Sequence, residues 1–304
     1  MKTVNLSVII VNYYSEKLVE NCISSLLTFN KEGLEIIIVD NGSHMDLASQ
    51  YDREKVKVIT NQTNMGFGSA CNIGAKYSKS QNILFLNPDT SVFENTIQDA
   101  IDFFNQNTHI TVLGCQQVNE EGKVLKTCTT FVTFKTYLIK SFYLDKLLPR
   151  YFRSHLMTYW DHLDSRFVDH VMGSFYMIRK EDFNALKGFD EDYFVYYEDL
   201  DLSKRVKNRG GKIYFNADLR IYHKTGGTSE RVKAKRLSYS LEGILIYARK
   251  HFSNMEYALL FLFILTIEFL LRICFSILNL NVKSISEVLK GYALLYRRIF
   301  FSSK

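Results

Sequence analysis

Short apolar runs alternate with longer amphipathic stretches along the N-terminal third of the chain. The runs have the length of strands and are rich in β-branched residues, and they lie at Leu6–Val11, Ile36–Val39, Val56–Ile59 and Ile83–Leu86. Apolar residues recur at helical spacing between the first two runs and after the fourth, at Leu18, Cys22, Leu26 and Phe29 and at Ile97, Ile101 and Phe104. Strands that alternate with helices in this way predict an α/β fold with a largely parallel central sheet.

Polar residues follow each of the four predicted strands. They are Asn12, Asp40–Ser43, Asn61–Gly74 and Asn87–Thr90. Parallel strands end at the same edge of a sheet, and the ligands of open α/β sheets bind where the connecting loops meet beyond that edge. We therefore expect these polar groups to face a single crevice.

The second half of the chain is less regular. From Thr127 to Arg166 the sequence is aromatic and basic, and its pattern indicates no function. The apolar run Val171–Ile178 is expected to resume the sheet, and the polar cluster Gly188–His223 follows it. We find no internal repeat and no low-complexity linker.

Composition and charge narrow the class of protein. A chain of 304 residues, 47% hydrophobic and 23% charged, can bury a substantial core. The net charge of +6 is small and scattered, which argues against a dedicated nucleic-acid binder but suits a protein that meets phosphates or anionic lipid. Five cysteines without a CxxC pair indicate a reducing compartment, and we interpret Met1–Asn12 as a first strand, not a signal peptide.

Asn87-Pro88-Asp89 follows the fourth predicted strand. These are ordinary turn residues, so the simplest interpretation is a turn closed by self-capping side chains. The functional interpretation is that Asp89, projected from a strand end, binds a hard divalent cation that bridges the two phosphates of a donor. One carboxylate with water and phosphate oxygens suffices for Mg²⁺ or Mn²⁺.

The acidic run Glu198–Asp201 precedes a helical pattern. Acidic residues in a first turn favour the helix dipole, and Asp201 can pair with Arg205 one turn later. This structural interpretation covers Glu198 and Asp199 less well, because two adjacent carboxylates face different directions and only one can cap the helix. A carboxylate held near an acceptor hydroxyl could instead take its proton as a general base.

His223 ends the apolar segment Leu219–Tyr222. A lone histidine is more often structural than a ligand. Here, however, the glycine-rich stretch Thr225–Ser229 follows it and could close over a phosphate site. We therefore treat His223 as a second metal ligand beside Asp89.

The stretch Asn64–Gly74 is only superficially similar to a dinucleotide fingerprint. Its glycines do not fall in the G-x-G-x-x-G register, so a Rossmann oxidoreductase loses its main support. The small residues can still let the backbone and a helix N-terminus approach a nucleotide closely.

Seven segments share an order and spacing with one known family. They are Ser7–Tyr13, Val39–Ser43, Asn64–Gly68, Leu86–Thr90, Gly188–Glu191, Tyr197–Leu202 and His223. In these segments, which cover about residues 5 to 230, the chain resembles the family 2 glycosyltransferases, particularly the bacterial rhamnosyltransferase-like branch that builds cell-surface polysaccharides. The resemblance implies a GT-A fold, the nucleotide-diphospho-sugar transferase fold, with a mainly parallel central sheet.

The resemblance also implies roles for individual residues. Asp40 would read the pyrimidine base of the donor, and Asp199 would be the general base, with Glu198 orienting the site or meeting the acceptor. Arg205 would support the loop or the phosphates. The other implied roles are the lining of the nucleotide pocket, by Asn12, Asn64, Gly66 and Asn72, and the binding of Mg²⁺ or Mn²⁺, by Asp89 and His223. The family inverts the anomeric centre in one displacement, which agrees with a site that needs one base, a metal and no covalent nucleophile.

Ala258–Leu280 is almost continuously apolar and long enough to span a bilayer, but it contains Glu268 and Arg272. On an insertion scale its 16 Leu, Ile and Phe residues contribute about −5 to −10 kcal/mol and the two charges cost about 5 to 7 kcal/mol, so the sum lies near zero. The basic tail beyond it favours an interfacial or re-entrant pair of helices over a single span. The alternative is a buried helix that packs against the domain or a symmetry mate, with Glu268 and Arg272 paired at i, i+4. We expect a GT-A catalytic domain over residues 1–235 and a helical membrane-associating region over 236–304.

Together these features predict an inverting hexosyltransferase, peripheral or monotopic at the cytoplasmic face of the cell membrane. Its expected partners are a dTDP- or UDP-sugar, with dTDP-rhamnose as the first donor to try, and a saccharide or lipid-linked saccharide. Nucleic acid is not expected, and a homo-oligomer stays open. A nucleotidyltransferase would need a basic loop for a triphosphate where the chain has Asn12–Ser15. The remaining alternative is a non-catalytic membrane-associated assembly partner that keeps a GT-A fold, which predicts an eroded site.

Overall fold

The computed structural model describes residues 4–29, 33–43, 49, 51, 55–224 and 233–301. The chain forms two compact units. The first comprises Met1–Phe131, Leu156–Glu191 and Glu198–Thr228, and the second comprises Val132–His155, Asp192–Tyr197 and Ser229–Lys304.

Strands and helices alternate along the first unit, whereas the second is mainly helical. In the described chain the strands are β1 (Leu6–Asn12), β2 (Leu34–Asp40), β3 (Val56–Thr60), β4 (Asn82–Leu86), β5 (Thr90–Val92), β6 (Val112–Val118), β7 (Val124–Leu125), β8 (Cys128–Thr129), β9 (Arg166–Val168), β10 (His170–Val171), β11 (Phe175–Arg179) and β12 (Ile213–His223). The helices are α1 (Glu16–Phe29), α2 (Phe67–Tyr77), α3 (Thr96–Gln106), α4 (Phe134–Ser141), α5 (Leu144–Leu147), α6 (Lys180–Ala185), α7 (Glu198–Asn208), α8 (Lys233–His251), α9 (Asn254–Phe263), α10 (Phe269–Leu278) and α11 (Val282–Phe301), with a π-helical turn at Ile264–Glu268. The helices α4, α5 and α8 to α11 belong to the second unit.

The first unit is built on a mixed, mostly parallel sheet. Its strands follow the order β3-β2-β1-β4-β11-β6-β12-β5, with β7 beside β6 and β9 beside β12. The strands β3, β2, β1 and β4 run parallel, as do β6 and β12, whereas β11 is antiparallel to both β4 and β6. The four strands predicted from the N-terminal apolar runs correspond to β1 to β4, so the expected α/β fold is confirmed.

Helices cover both faces of this sheet, which explains why its central strands are continuous apolar runs. Every residue of β1 and of β4 is buried. Leu6 and Val8 pack into the core that contains α1 and α3, whereas Ile9 packs into the core that contains α2. A Cβ on Gly74 of α2 would lie 2.6 Å from Ile9 Cγ2, so glycine at this position lets the helix approach the sheet closely.

The directions of the strands bring the ends of several of them to a single edge of the sheet. The parallel strands β1, β2 and β4 end at this edge, with Asn12 opposite Asp40. The strand β11 begins here, with Phe175 opposite Leu86. Because β6 and β12 run opposite to β11, they end at the same edge, where β12 terminates in His223.

The run Val171–Ile178 resumes the sheet only from Phe175 onward. Its first residues belong to β10, which pairs with β8 in a separate two-stranded sheet. Between β10 and β11 the chain turns, and there the Gly173 amide donates a hydrogen bond of 2.8 Å to Asp199 Oδ2. The turn therefore separates the two strands and also holds a carboxylate of α7.

One long apolar helix stands out in the second unit. The helices α9 and α10 and the π-helical turn between them form a continuous helix, Asn254–Leu278, that is long and apolar enough to cross a membrane, by length and composition alone. A capping box between Ser253 and Glu256 fixes its start. Only 22% of its most apolar window is buried, so the rest of the described chain leaves most of that window uncovered.

Glu268 and Arg272, the charges in the apolar part of this helix, are satisfied within the second unit. Glu268 is buried, and its carboxylate accepts hydrogen bonds from the Tyr137 hydroxyl at 2.8 Å and from Arg272 Nε and Nη2 at 3.0 and 2.6 Å. The expected pairing of Glu268 with Arg272 is thus confirmed. Large apolar side chains are exposed elsewhere along the helix, at Leu259, Leu262, Leu270 and Ile277.

Candidate active site

Asp40, at the end of β2, is held by the residues around it. Its Oδ1 accepts hydrogen bonds from Asn12 Nδ2 at 3.0 Å and from the amide and hydroxyl of Ser43 at 3.3 and 2.5 Å. Asn12 Oδ1 in turn accepts from the amide and hydroxyl of Ser15 at 3.1 and 2.9 Å. This network fixes the orientation of the Asp40 carboxylate.

The second oxygen of that carboxylate is unsatisfied. Asp40 is fully buried, and its Oδ2 makes no hydrogen bond with any residue that the structure describes. A buried carboxylate oxygen without a donor destabilises the fold unless a ligand supplies an N–H or O–H group. Asp40 therefore has one acceptor available to a ligand.

Asn41 organises the loop between β3 and α2. Its Nδ2 donates to Asn64 Oδ1 and to the Gly66 carbonyl at 2.9 and 3.1 Å, and its Oδ1 accepts from Asn61 Nδ2 and the Met65 amide at 3.1 and 3.0 Å. Gly66 has φ of +87°, which favours glycine, and it caps α2. Asn64 and Gly66 were expected at the nucleotide pocket, whereas Asn41, which holds both, was assigned no role from the sequence.

Asn72 holds the turn that follows α6. Its Nδ2 donates to the Phe189 carbonyl at 2.9 Å and to Glu191 Oε1 at 3.0 Å, and its Oδ1 accepts from the Phe189 amide at 2.8 Å. The approach is close, because a Cβ on Gly188 would lie 2.4 Å from Asn72 Oδ1. Both polar atoms of Asn72 are thus engaged by this turn.

Arg205 supports the same turn from α7. It pairs with Asp201 Oδ2 at 2.7 Å, which confirms the expected pair, and donates to the carbonyls of Leu186 and Gly188 at 2.7 and 2.9 Å. Of the two roles expected for Arg205, these contacts support the one in which it holds the loop.

Asp89 and His223 meet at the edge of the sheet. The antiparallel pairing of β5 with β12 sets His223 opposite Thr90, next to Asp89. His223 Nε2 lies 3.3 Å from Asp89 Oδ1, and both side chains are buried. His223 Nδ1 lies 2.6 Å from Gln117 Oε1, and Gln117 Nε2 donates to Ser174 Oγ at 2.7 Å.

These two donors fit a divalent cation. Gln117 Oε1 can only accept, so Nδ1 of His223 carries the proton and the lone pair of Nε2 is free to bind a metal. The 3.3 Å between the donor atoms of Asp89 and His223 is close to the ~3 Å between neighbouring ligands around an ion with bonds of about 2.1 Å. The described residues contain no cluster of three or more potential metal ligands, so water and phosphate oxygens would complete the shell. The stretch Thr225–Ser229, expected to close over this site, lies outside the described residues.

Glu198 and Asp199 begin α7 in different surroundings. Glu198 is buried, and its Oε2 makes no hydrogen bond within the described part of the chain. Burial, and after it the charge of Asp199, raises the pKa of Glu198 well above its ordinary value. The residue lies beside the start of α2, where a Cβ on Gly68 would come within 3.6 Å of Glu198 Cβ. Glu198 is therefore held toward its neutral, protonated form.

Asp199 is the more accessible of the two carboxylates, with 20% of its side chain exposed. Its Oδ2 accepts from the Gly173 amide and its Oδ1 from the Leu200 amide, both at 2.8 Å. His170 Nε2 lies 3.7 Å from the same Oδ2. The carboxylate is thus oriented by its neighbours and still open to a substrate, which suits a general base.

A family model described as Glycosyl transferase family 2 matches residues 7–183. The match covers more than half of the chain and includes both Asp40 and Asp89. The chain belongs to glycosyltransferase family 2. In this family 2 glycosyltransferase the later candidates, Glu198, Asp199 and His223, lie beyond the matched stretch, so their place in the site rests on the strand and helix ends described above.

Relatives of this family 2 glycosyltransferase include a hexosyltransferase and two rhamnosyltransferases. The chain is 27% identical over 208 residues to the low-salt glycan biosynthesis hexosyltransferase Agl10 of Haloferax volcanii. The match covers 67% of this chain and 62% of Agl10, so this chain spans less than two thirds of the length of that relative. It is 26% identical over 247 residues to rhamnosyltransferase WbbL of Escherichia coli K12, covering 78% and 89% of the two chains. It is 23% identical over 264 residues to an N-acetylglucosaminyl-diphospho-decaprenol L-rhamnosyltransferase of Mycobacterium tuberculosis, covering 81% and 85%. The expected resemblance to the rhamnosyltransferase-like branch is thereby confirmed.

Solved structures confirm the GT-A fold of this family 2 glycosyltransferase. GalNAc-T7 with UDP, GalNAc and Mn²⁺ superimposes with a TM-score of 0.55 at 18% identity, covering 81% of this chain and 47% of that one. The mannosyltransferase PcManGT from Pyrobaculum calidifontis, in complex with GDP-Man and Mn²⁺, also gives a TM-score of 0.55, at 11% identity, covering 99% and 77%. At these identities the likeness concerns the fold.

Proposed function

We propose that this family 2 glycosyltransferase is a metal-dependent, inverting hexosyltransferase of glycan biosynthesis. It moves a sugar from a pyrimidine nucleoside diphosphate to a hydroxyl of a saccharide or lipid-linked saccharide. The observation that carries the proposal is the set of groups gathered around one sheet edge: the unsatisfied oxygen of Asp40, the Asp89–His223 pair and the accessible carboxylate of Asp199.

Asp40 supplies recognition of the base. Uracil and thymine each carry one ring N–H group, which can donate to the Asp40 oxygen that lacks a partner. Asn12 and Ser43 hold the other oxygen, so the carboxylate is oriented before the ligand arrives. The loop that Asn41 ties together at Asn64 and Gly66 lines the same pocket, and Asn72 holds the turn at Phe189 and Glu191.

Asp89 and His223 would hold Mg²⁺ or Mn²⁺. A cation held there would offset the negative charge on the departing diphosphate. Gln117 accepts a hydrogen bond from Nδ1 of His223 and so directs Nε2 toward the cation site, and Ser174 holds Gln117. The Mn²⁺ bound to GalNAc-T7 and to PcManGT supports this assignment.

Asp199 acts as the general base. It accepts the proton of the acceptor hydroxyl as the oxygen attacks the anomeric carbon from the side opposite the diphosphate. Glu198, held toward its protonated form, leaves Asp199 as the carboxylate able to take that proton and can itself donate a hydrogen bond to the acceptor. One base and one displacement invert the anomeric configuration, so no covalent nucleophile is required.

The choice of sugar and acceptor follows the relatives. WbbL is named a rhamnosyltransferase, and the mycobacterial relative is named for L-rhamnose and for an N-acetylglucosaminyl-diphospho-decaprenol substrate. We therefore propose dTDP-rhamnose as the donor and a lipid-linked, diphosphate-bearing saccharide as the acceptor class.

The helix Asn254–Leu278 supports attachment to a membrane surface. Glu268 and Arg272 are paired within the second unit, and the helix exposes large apolar side chains that can enter a lipid interface. Exposed basic residues on α11, among them Lys283 and Lys290, suit an anionic leaflet. We propose a peripheral or monotopic enzyme at the cytoplasmic face, where nucleotide sugars are made.

The stereochemistry of the product tests this function. The full chain, purified in detergent, is incubated with dTDP-rhamnose, Mn²⁺ and an N-acetylglucosaminyl-diphospho-prenol, and the product is examined by NMR. We expect an anomeric configuration opposite to that of the donor. Retention of configuration would contradict the single displacement. No transfer from dTDP-rhamnose, with transfer from another dTDP- or UDP-sugar in a parallel reaction, would correct the donor without affecting the mechanism.

A further inference from the structure

A string of three buried polar side chains, His170, Ser203 and Tyr176, extends from Asp199 into the interior of the first unit. His170 Nε2 lies 3.7 Å from Asp199 Oδ2, and His170 Nδ1 lies 2.9 Å from Ser203 Oγ. Ser203 Oγ lies 3.2 Å from the hydroxyl of Tyr176. All three residues behind Asp199 are buried, and the sequence assigned a role to none of them.

The string determines which ring nitrogen of His170 carries the proton. Each hydroxyl has one proton to donate, so two arrangements exist. In the first, Tyr176 donates to Ser203, Ser203 donates to Nδ1 of His170, and Nε2–H faces Asp199. In the second, all donors are reversed, so the Nε2 lone pair faces a carboxylate oxygen and Tyr176 needs a further acceptor. The first arrangement is favoured, because it directs the positive end of an N–H group at the carboxylate.

We propose that His170 is a positioning residue for the general base. Its Nε2–H group, fixed by Ser203 and Tyr176, faces Asp199 Oδ2 and holds the carboxylate in the orientation in which it accepts a proton. This inference rests on the proposed function. The 3.7 Å separation is longer than a hydrogen bond, and we expect it to shorten when the acceptor binds, as catalytic hydrogen bonds do.

His170 acts on the reaction only through Asp199. The acceptor O–H bond breaks and its proton moves to Asp199, while the electron pair left on the oxygen forms the bond to the anomeric carbon. The bond from that carbon to the diphosphate oxygen breaks, and its electron pair leaves with the nucleoside diphosphate. His170 keeps its own proton throughout, in the manner of a third group that orients a base.

The surroundings keep the ring of His170 neutral. Burial lowers the pKa of His170, and the opposing effects of Asp199 and Asp169 do not reverse that shift. A neutral ring is what the string requires, because a ring that carried protons on both nitrogens could not accept from Ser203. The other titratable groups that face the string are Glu198, Cys71 and Tyr176, whose pKa values burial raises, and the ion pair of Asp201 with Arg205.

The first test is spectroscopic and requires no activity. In the full chain labelled with ¹⁵N-histidine, the ring signals of His170 are identified by their loss in His170→Gln. We expect a neutral ring protonated at Nε2. Asp199→Asn should lower the pKa of His170 further, because it removes a carboxylate that opposes the effect of burial, whereas the exposed His109 should not respond. A ring protonated at Nδ1, or no response of His170 to Asp199→Asn, would overturn the proposal.

The second test is kinetic. His170→Phe keeps an aromatic ring without an N–H group, and His170→Gln keeps a donor near the position of Nε2. We expect kcat to fall roughly 10- to 100-fold in His170→Phe, the usual effect of losing a group that orients a reactive side chain. The acid limb of the pH–rate profile should move to higher pH, the donor KM should not change, and His170→Gln should partly restore both kcat and the profile.

The controls separate this proposal from the proposed function. His109→Gln should match the wild type. If His170→Phe does not fold, Tyr176→Phe, which releases the far end of the string, should shift the acid limb in the same direction. An unmoved acid limb and wild-type kcat in the folded variant would overturn the role of His170. If the wild type transfers no sugar, the proposed function fails, and the spectroscopic test still decides whether His170 faces Asp199.

Discussion

Glu198 and Asp199 are adjacent in sequence, yet burial gives them different chemical properties. The carboxyl group of Glu198 is enclosed, with its pKa raised by burial first and by Asp199 second. Asp199 accepts two amide hydrogen bonds and has 20% of its side chain exposed. An acid and a base can therefore occupy one short segment of α7, because each residue has its own environment.

Replacing Glu198 by glutamine should stabilise the protein at neutral pH. Below the ordinary glutamate pKa the carboxyl group is protonated in both the folded and the unfolded chain. As the pH rises above it, the unfolded chain releases the proton while the folded chain retains it, which disfavours folding. We expect Glu198→Gln to raise the Tm at pH 7 by a few degrees and to leave it unchanged near pH 4. Thermal unfolding at both pH values measures this, with the exposed Glu94→Gln as the control; an equal effect at both pH values would contradict it.

Replacing Asp40 by asparagine should weaken nucleotide binding without unfolding the chain. The amide keeps the shape of the side chain. If its NH₂ group faces the base, two donors meet; if it faces Asn12 and Ser43, the hydrogen bonds that these residues donate to Asp40 Oδ1 are lost. We expect the Kd for UDP or dTDP to rise about 10- to 100-fold, the cost of about 1–3 kcal/mol for an unpaired buried group. Calorimetry measures this beside Asp218→Asn, an exposed substitution in the same unit. Unchanged affinity would remove Asp40 from base recognition.

Some site residues are visible in the sequence and others are not, for physical reasons. Asp40 and Asp89 stand directly after apolar runs, and His223 ends one, so strand ends mark them. Gln117 lies inside the buried strand β6 and meets His223, 106 residues away, only through strand pairing. His170 is similarly hidden, because its partner Ser203 lies 33 residues further along the chain.

At the scale of elements, local pattern predicts the parallel part of the sheet but not its antiparallel insertion. The apolar runs that form β1 to β4 alternate with helices. This alternation predicts both which residues form strands and that these strands run parallel. The strand β11 enters between β4 and β6 in the opposite direction, and the short strand β5 is recruited by β12 through long-range pairing. These placements depend on tertiary pairing, which periodicity does not encode. The boundary expected at residue 235 stays a prediction.

The contact between α2 and the sheet should tolerate no side chain at Gly74. A Cβ there would lie 2.6 Å from Ile9 Cγ2 and 3.1 Å from Val39 Cγ2, both in buried strands. We expect Gly74→Ala to destabilise the protein by about 1–3 kcal/mol through overpacking. Denaturant unfolding measures this beside Lys76→Ala on the exposed side of the same helix, which should change stability by less than about 0.5 kcal/mol. A neutral or stabilising Gly74→Ala would show that the helix can move away from the sheet.

At the scale of the whole molecule, the proposed attachment to a membrane rests on the apolar helix Asn254–Leu278. The pattern of its residues left a single span, an interfacial helix and a buried helix open, because the free energies of insertion nearly cancel. Its low burial argues against a helix enclosed by this chain's own domain, and the pairing of Glu268 with Arg272 removes much of the penalty that two isolated charges would bring to a lipid interface.

Exposed leucines on this helix should be needed for membrane binding. We expect the wild type to float with vesicles that contain anionic lipid, and the double variant Leu262→Ser and Leu270→Ser to bind at least about tenfold more weakly, because it loses about 1.5–3 kcal/mol of apolar burial at each site. Leu163→Ser, an equally exposed leucine of the first unit, is the control and should bind as the wild type does. Flotation that the double variant leaves unchanged would contradict attachment through this helix.

The most direct measurement is the release of nucleoside diphosphate from a panel of dTDP- and UDP-sugars by the full chain in detergent, with Mn²⁺ or Mg²⁺, in the presence and absence of a lipid-linked acceptor. We predict metal-dependent release that is abolished by Asp89→Ala and reduced roughly 10²- to 10⁴-fold by Asp199→Ala, the usual loss on removing a general base. No release with any donor, together with no metal-dependent nucleotide binding, would contradict the enzyme and favour a non-catalytic membrane-associated partner that keeps the GT-A fold.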